Sequence, residues 1–145
     1  MRLAFSAIAD AAYCSKGVRQ NTFEADIEGG PAAWYPTMRH KRAIERLGKA
    51  VRLQYGDGIR SVRVFGSVAR GTEDAGSDID IMLIFGPETG PVDWRLERAV
   101  RDLAFPIELE EDVVFDLKVI AEHDLRGLKG HTPFMDRVAR EGVAV

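Results

Sequence analysis

The chain has 145 residues, of which 46% are hydrophobic and 30% are charged, so it can form one globular domain around a single core. Its formal net charge of −3 argues against a protein that binds nucleic acid through phosphates, and we expect no direct nucleic-acid binding. No apolar run has the length needed to span a bilayer, so no membrane association is expected.

The first 37 residues differ from the rest of the chain. Their periodicity is weak and they carry loop signals such as Gly29-Gly30-Pro31, whereas Met38 stands just ahead of the first strong helical pattern. We expect residues 1–37 to be a poorly ordered N-terminal extension and residues 38–145 to form the domain. The alternative is a short helix over Leu3–Tyr13 that packs on the domain or on a partner.

Two features of this extension favour a cytoplasmic location. The apolar start of the chain resembles a signal peptide, but Asp10 interrupts it early. The single cysteine, Cys14, cannot form an internal disulfide and suits a reducing compartment.

Regular patterns begin at Arg39. Apolar residues recur at three- and four-residue spacing up to Tyr55, which predicts an amphipathic helix with the buried stripe Ile44, Leu47, Val51 and Tyr55. Its basic residues are predicted to form a solvated face: Lys41, Arg42, Arg46, Lys49 and Arg52. Three strands are predicted after it, over Ile59–Phe65, Asp78–Phe85 and Val113–Ile120, and the second is the most apolar and therefore central.

Three further helices are predicted, over Val92–Ala104, Ala121–Leu128 and Pro133–Glu141, before the apolar tail Val143–Val145. The first of them has the predicted buried stripe Trp94, Leu96, Val100 and Leu103. This order of elements indicates an α/β fold with a small mixed β-sheet flanked by helices.

The aromatic and histidine residues give no sign of a binding site. None of the aromatic residues lies among clustered basic residues, so four are assigned to the core: Trp94, Phe105, Phe115 and Phe134. The histidines lack metal-ligand spacing and are assigned to the surface or to helix ends: His40, His123 and His131.

The segment after the first strand has features of a phosphate-binding turn. Gly66 and Ser67 follow Phe65 directly, and a glycine there lets a phosphate approach the backbone. Ser67 can cap a short helix, contact a phosphate oxygen, or do both. Arg70, one turn later, can contact phosphate or form a surface salt bridge.

Carboxylates begin the second strand. Asp78 and Asp80 are two residues apart, so both side chains project from the same face of the sheet. Such a pair is costly beside an apolar sheet unless a cation compensates it, and Mg²⁺ prefers carboxylates together with substrate phosphates. The alternative is a solvated strand end with two ordinary surface charges.

A third carboxylate, Asp116, lies on the third strand, on the face opposite Phe115 and Leu117. If this strand neighbours the second, three carboxylates converge and can hold two metal ions for phosphoryl displacement. The alternative is a surface residue paired with Lys118. Other candidates for the third carboxylate are Glu110, Glu111 and Asp112.

The residues Phe65 to Gly71, followed by Ser77-Asp78-Ile79-Asp80, resemble the signature of the DNA polymerase beta-like nucleotidyltransferases, and most of all their minimal nucleotidyltransferase branch. The resemblance covers residues 38–145. It implies that Gly66 and Ser67 hold a triphosphate, that Asp78 and Asp80 bind metal, and that Asp116 is a further ligand that helps to deprotonate the acceptor. The resemblance also implies that the cofactor is a pair of Mg²⁺ ions and that ATP is the nucleotide donor.

Many small proteins of this branch resemble antitoxins that add AMP to a tyrosine of a HEPN-type RNase toxin. The resemblance therefore implies an adenylyltransferase with a partner protein as acceptor. Two alternatives remain: a non-catalytic binding module that neutralises its partner by contact, and an adenylyltransferase for a small molecule such as an aminoglycoside. Mg²⁺-dependent ATP binding distinguishes the enzymes from the binding module.

Overall fold

The computed structural model describes residues 38–127 and 131–145. The expected extension over residues 1–37, with its alternative helix and Cys14, lies outside the described residues. The described part contains five helices, in chain order α1 (Met38–Tyr55), α2 (Gly66–Arg70), α3 (Trp94–Glu111), α4 (Glu122–Leu125) and α5 (Pro133–Glu141). Its four strands are β1 (Ile59–Phe65), β2 (Ile79–Phe85), β3 (Phe115–Ala121) and β4 (Val143–Ala144). Two single 3₁₀ turns cover Gly56–Gly58 and Pro87–Thr89.

The strands form one mixed sheet in the order β3-β2-β1-β4. β1 runs antiparallel to both β2 and β4, whereas β2 and β3 are parallel. The apolar strand β2 is central, as its composition predicts, and the tail of the chain supplies the short edge strand β4. The expected α/β fold with a small mixed sheet and flanking helices is confirmed.

The two faces of the sheet carry different apolar cores. The larger core lies against α1 and α3 and contains the side chains Ile79, Ile81, Leu83 and Phe85 of β2. The smaller core lies on the other face, where Met82 and Ile84 pack with Leu125, Met135 and Val138 from α4 and α5. Asp80 has the same parity as Met82, so it belongs to the face with the smaller core.

Helix α1 confirms its predicted apolar stripe, since Ile44, Leu47 and Val51 are buried and Tyr55 packs at the edge of the core. Its predicted basic face is exposed as expected, and Arg42 and Arg46 on that face also form ion pairs with Glu111 at the end of α3. The partners are more than 60 residues apart in sequence, and only the packing of α1 on α3 brings them together.

Three of the four aromatic assignments to the core are wrong. Phe115 is buried, but the exposed fractions of Trp94, Phe105 and Phe134 are 63%, 57% and 41%. Trp94 and Phe105 each lie two positions before a buried residue of α3, Leu96 and Ile107, and two positions turn a helix to its opposite side.

Helix α3 also extends beyond the predicted end near Ala104, through Pro106 to Glu111. Its buried positions follow one helical face: Leu96, Val100, Ala104, Ile107 and Glu111. Asp93 is the N-cap of the helix, and its carboxylate accepts hydrogen bonds from the backbone N–H groups of Arg95 and Leu96. The predicted helix over Ala121–Leu128 is reduced to the single turn α4.

The three histidines differ in their exposure to solvent. His123 and His131 are exposed, as expected, whereas His40 lies at a helix end, one of its two assignments, but is buried, with an exposed fraction of 1%. It lies in the first turn of α1, where packing against the rest of the domain covers it.

None of the helices over the described residues has the length and apolar character needed to cross a membrane.

Candidate functional site

The site is organised around the turn that joins β1 to α2. Gly66 adopts φ +70°, a conformation that side chains with a Cβ disfavour. A Cβ at this position would lie 2.1 Å from Oδ2 of Asp80, which is far inside van der Waals contact. The backbone of the Gly66 turn therefore lies directly against the Asp80 carboxylate, and glycine is needed for both reasons.

Ser67 lies just inside α2 rather than at its cap. The helix begins at Gly66, its cap position is Phe65, and no side chain caps it, so the capping role considered for Ser67 is wrong. The Ser67 side chain is half-buried, and its carbonyl accepts a hydrogen bond from the Thr72 N–H at 3.0 Å. Its phosphate contact stays a prediction.

Asp78 and Asp80 stand at the beginning of β2. Asp78 is exposed and precedes the strand, whereas Asp80 is half-buried within it. The Ile79 N–H donates to the Val114 carbonyl at 2.8 Å, which holds this end of β2 beside β3. Asp80 is paired in register with Phe65 on one side and with Asp116 on the other.

Asp116 lies beside Asp80 on the neighbouring parallel strand. This pairing confirms the expectation that the third predicted strand neighbours the second. Because residues paired in a parallel ladder project to the same face, the side chains of Asp80 and Asp116 share one face of the sheet. Burial raises the pKa of the Asp80 carboxyl, and repulsion from Asp116 and then Asp78 raises it further. The charges of both neighbouring carboxylates thus act on Asp80.

A lysine contacts this acidic group. Nζ of Lys118 lies 2.8 Å from Oδ1 of Asp116, and the two side chains have exposed fractions of 44% and 43%. The alternative in which Asp116 pairs with Lys118 is therefore realised in the structure. Within residues 38–127 and 131–145, no three carboxylate, histidine or cysteine side chains are already gathered as a metal-ion cluster.

Two roles were predicted for Arg70, contact with phosphate and a surface salt bridge, and the structure contains the salt bridge. Its Nη1 lies 2.8 Å from Oε2 of Glu141, which connects α2 to α5. Both Lys118 and Arg70 oppose the rise in the pKa of Asp80. Glu141 gives no signal in the sequence, because it lies 71 residues from Arg70.

The other candidates for the third carboxylate lie elsewhere. Both Glu110 and Glu111 bind Arg46 of α1, and Glu111 is buried. Asp112 ends α3 in a left-handed conformation and binds Arg39. All three serve the contact between α1 and α3, so Asp116 is the acidic residue that the fold brings to Asp80.

The chemistry of the donor set fits a hard divalent cation. Carboxylate oxygens are the ligands that Mg²⁺ prefers. Asp80 and Asp116 offer them from one face of the sheet, and Asp78, just before β2, is close enough for its charge to raise the pKa of Asp80. Burial contributes most to the raised pKa of Asp80, and repulsion from Asp116 and Asp78 adds to it. A cation would relieve that repulsion, as Lys118 already does in part.

A separate cavity of about 210 Å³ lies near the far end of β3. Val119, Ile120, Leu125 and Met135 line it together with Val92, Glu97 and Asp124. It includes none of the carboxylates described above. The acidic face itself is accessible at the surface, since Asp78 is exposed and Asp80 and Asp116 are half-buried.

Residues 44–130, more than half of the chain, match the family described as nucleotidyltransferase domain. The chain belongs to this family. The matched region of this nucleotidyltransferase includes the Gly66 turn, Asp78, Asp80 and Asp116. Its sheet and helices form the α/β core expected of such a domain.

Two solved structures are similar to this nucleotidyltransferase. One is a toxin–antitoxin crystallised with AMP-PNP, with 22% identity, coverage of 70% of each chain and a TM-score of 0.47. The other is a Sulfolobus solfataricus protein described as a nucleotidyltransferase, with 20% identity, coverage of 81% of this chain and 89% of that chain, and a TM-score of 0.44. No curated protein matches the chain.

Proposed function

We propose that this nucleotidyltransferase transfers AMP from Mg²⁺-bound ATP to a hydroxyl group of a protein acceptor. The observation that carries the proposal is the contact between the Gly66 turn and Asp80, with Asp116 beside Asp80 in the ladder. This contact puts a turn that phosphate can approach next to the carboxylates that can hold its counter-ion.

Each residue has a proposed task. Asp78, Asp80 and Asp116 hold Mg²⁺, which neutralises the triphosphate and so eases the departure of pyrophosphate. Gly66 and Ser67 bind the triphosphate, and Arg70 adds positive charge beside it. Catalysis then depends on positioning and charge neutralisation.

Asp116 also receives the proton. The acceptor oxygen attacks the α-phosphorus, the bond from this phosphorus to the bridging oxygen breaks, and pyrophosphate leaves with those electrons. The proton of the acceptor hydroxyl passes to a carboxylate oxygen of Asp116. Asp116 therefore serves the acceptor side of the reaction.

The proposed acceptor is a tyrosine of a HEPN-type RNase toxin, with this chain as the antitoxin. This part of the proposal is supported by the motif resemblance to minimal nucleotidyltransferases. The net charge of −3 is consistent with a protein acceptor rather than a nucleic acid.

The test is transfer of label from α-labelled ATP. Purified protein is incubated with Mg²⁺ and the nucleotide, with and without a HEPN-type RNase encoded beside its gene. We expect label on the partner, lost on replacement of a partner tyrosine by phenylalanine. The Asp80→Asn variant should lose at least about a hundredfold in rate, as expected when charge stabilisation of the transition state is removed.

Asp102→Asn is the matched control, because Asp102 is an exposed carboxylate on α3, beyond the other face of the sheet. It should transfer label at the wild-type rate. A tight complex with the partner and no transfer would overturn the proposal in favour of a non-catalytic antitoxin. Transfer to an aminoglycoside and not to protein would assign a small-molecule acceptor instead.

A further inference from the structure

Lys118 lies at the border between the acidic and the apolar parts of one face of the sheet. It is two residues after Asp116 on β3, and its register partner on β2 is Met82, which is fully buried. Side chains of equal parity on paired parallel strands share a face. The aliphatic part of Lys118 can therefore cover apolar surface while its ammonium reaches the carboxylates.

The ammonium affects two of the three carboxylates. It lies 2.8 Å from Oδ1 of Asp116, and its charge also opposes the rise in the pKa of Asp80. Both carboxylates belong to the proposed Mg²⁺ site. A lysine in this position does part of what the metal ion does, because it compensates the same negative charge.

A lysine and a divalent cation compete for the same oxygens. Like charges a few ångströms apart repel, so an ammonium beside Asp116 weakens the attraction of this carboxylate for a metal ion.

We propose that Lys118 is an internal counter-ion, which holds Asp116 in the free protein and so weakens the binding of a divalent cation at this carboxylate. When ATP binds with the metal, its phosphates offer the ammonium a new partner. Binding of metal and binding of nucleotide are thereby coupled through one side chain. The inference rests on the proposed function, because it takes the acidic face to be the metal site.

The test is the affinity for Mn²⁺ alone, measured from the free-Mn²⁺ signal in electron paramagnetic resonance. Lys118→Gln should bind Mn²⁺ about five- to tenfold more tightly than the wild type, since one nearby positive charge is removed at a half-exposed position. Lys118→Arg keeps the charge and should bind as weakly as the wild type. With a non-hydrolysable ATP analogue present, the difference between the wild type and Lys118→Gln should become smaller.

Lys49→Gln is the matched control, because it removes the same charge from an exposed position on α1, behind the other face of the sheet. Equal Mn²⁺ affinity of the wild type, Lys118→Gln and Lys49→Gln, with binding still lost in Asp80→Asn, would overturn the role of Lys118 and leave the proposed function standing. Mn²⁺ binding that does not depend on Asp80 would overturn both.

Discussion

Gly66 shows how one residue joins two parts of the site. Its positive φ lets the chain turn from β1 into α2, and its lack of a side chain lets the turn touch Asp80. Each requirement alone favours glycine. An alanine at this position would fit only if the Asp80 carboxylate moved away. The position is therefore set by local backbone conformation and by a contact across the sheet.

Gly66→Ala and Gly56→Ala separate these two requirements. Gly56 has φ +51° and nothing near its Cβ position, so its replacement should cost only the left-handed conformation, about 1–2 kcal/mol. Gly66→Ala adds the clash with Asp80, for about 1–3 kcal/mol more in the free energy of unfolding. Urea unfolding of both variants measures the difference, and equal losses would show that the Asp80 contact is not restrictive.

At the scale of elements, a group of buried and exposed charges fastens α1 to α3. Nε of Arg42 lies 2.9 Å from Oε2 of Glu111, and Nη1 of Arg46 lies 2.9 Å from Oε1 of the same residue. Glu111 is buried, with an exposed fraction of 8%, so both of its oxygens depend on these guanidinium groups. The contact keeps α1 and α3 together behind the sheet, away from the acidic face.

This contact should make stability depend on pH. The hydrogen bond from Arg46, and after it the one from Arg42, holds the pKa of Glu111 below its usual value. A carboxylate with a lowered pKa stabilises the fold above the pKa of the unfolded chain, and this stabilisation is lost as the pH falls through the folded pKa. Glu111→Gln should therefore be less stable than the wild type at neutral pH.

The gap between Glu111→Gln and the wild type should close on acidification. Urea unfolding in steps from about pH 7 to about pH 3 follows it, over the range in which glutamates titrate. Glu45→Gln is the control, because Glu45 is exposed on α1. A gap that stays constant over this range would mean that Glu111 contributes through packing rather than through its charge.

At the scale of the whole molecule, the topology of the sheet gathers the site. Parallel pairing of β2 with β3 puts Asp116 beside Asp80, and antiparallel pairing of β1 with β2 puts Phe65, and so the Gly66 turn, on its other side. Helix α5 then reaches α2 through the ion pair of Glu141 with Arg70. The two strand pairings therefore bring the Gly66 turn, Asp80 and Asp116 together.

Binding of nucleotide with metal should stabilise the whole domain. A ligand at a hundredfold excess over its Kd adds about 2.7 kcal/mol, which for a domain of about 100 residues raises Tm by about 10 °C or more. We expect this shift from a non-hydrolysable ATP analogue with Mg²⁺, and a much smaller one when EDTA replaces the metal. Calorimetry of the wild type and Asp80→Asn measures it. An equal shift without metal would contradict a site built on carboxylates.

Local patterns in the sequence determined the elements and the main candidates. The apolar stripe of α1, the strands on either side of the Gly66 turn, and the spacing of Asp78 and Asp80 depend on short-range periodicity and backbone preference, which a sequence displays directly. On α3 the same patterns identified Leu96 and Val100 as buried, but Trp94 and Phe105, assigned to the core, are exposed.

Only the tertiary structure decided which distant residues meet. In the folded chain Asp116 is the neighbour of Asp80, whereas the other acidic candidates lie elsewhere. Arg70 pairs with Glu141, and His40 is buried. The physical reason is that strand register and helix packing join residues tens of positions apart. Sequence spacing constrains the direction of a side chain along its own element, but not the element that lies opposite it.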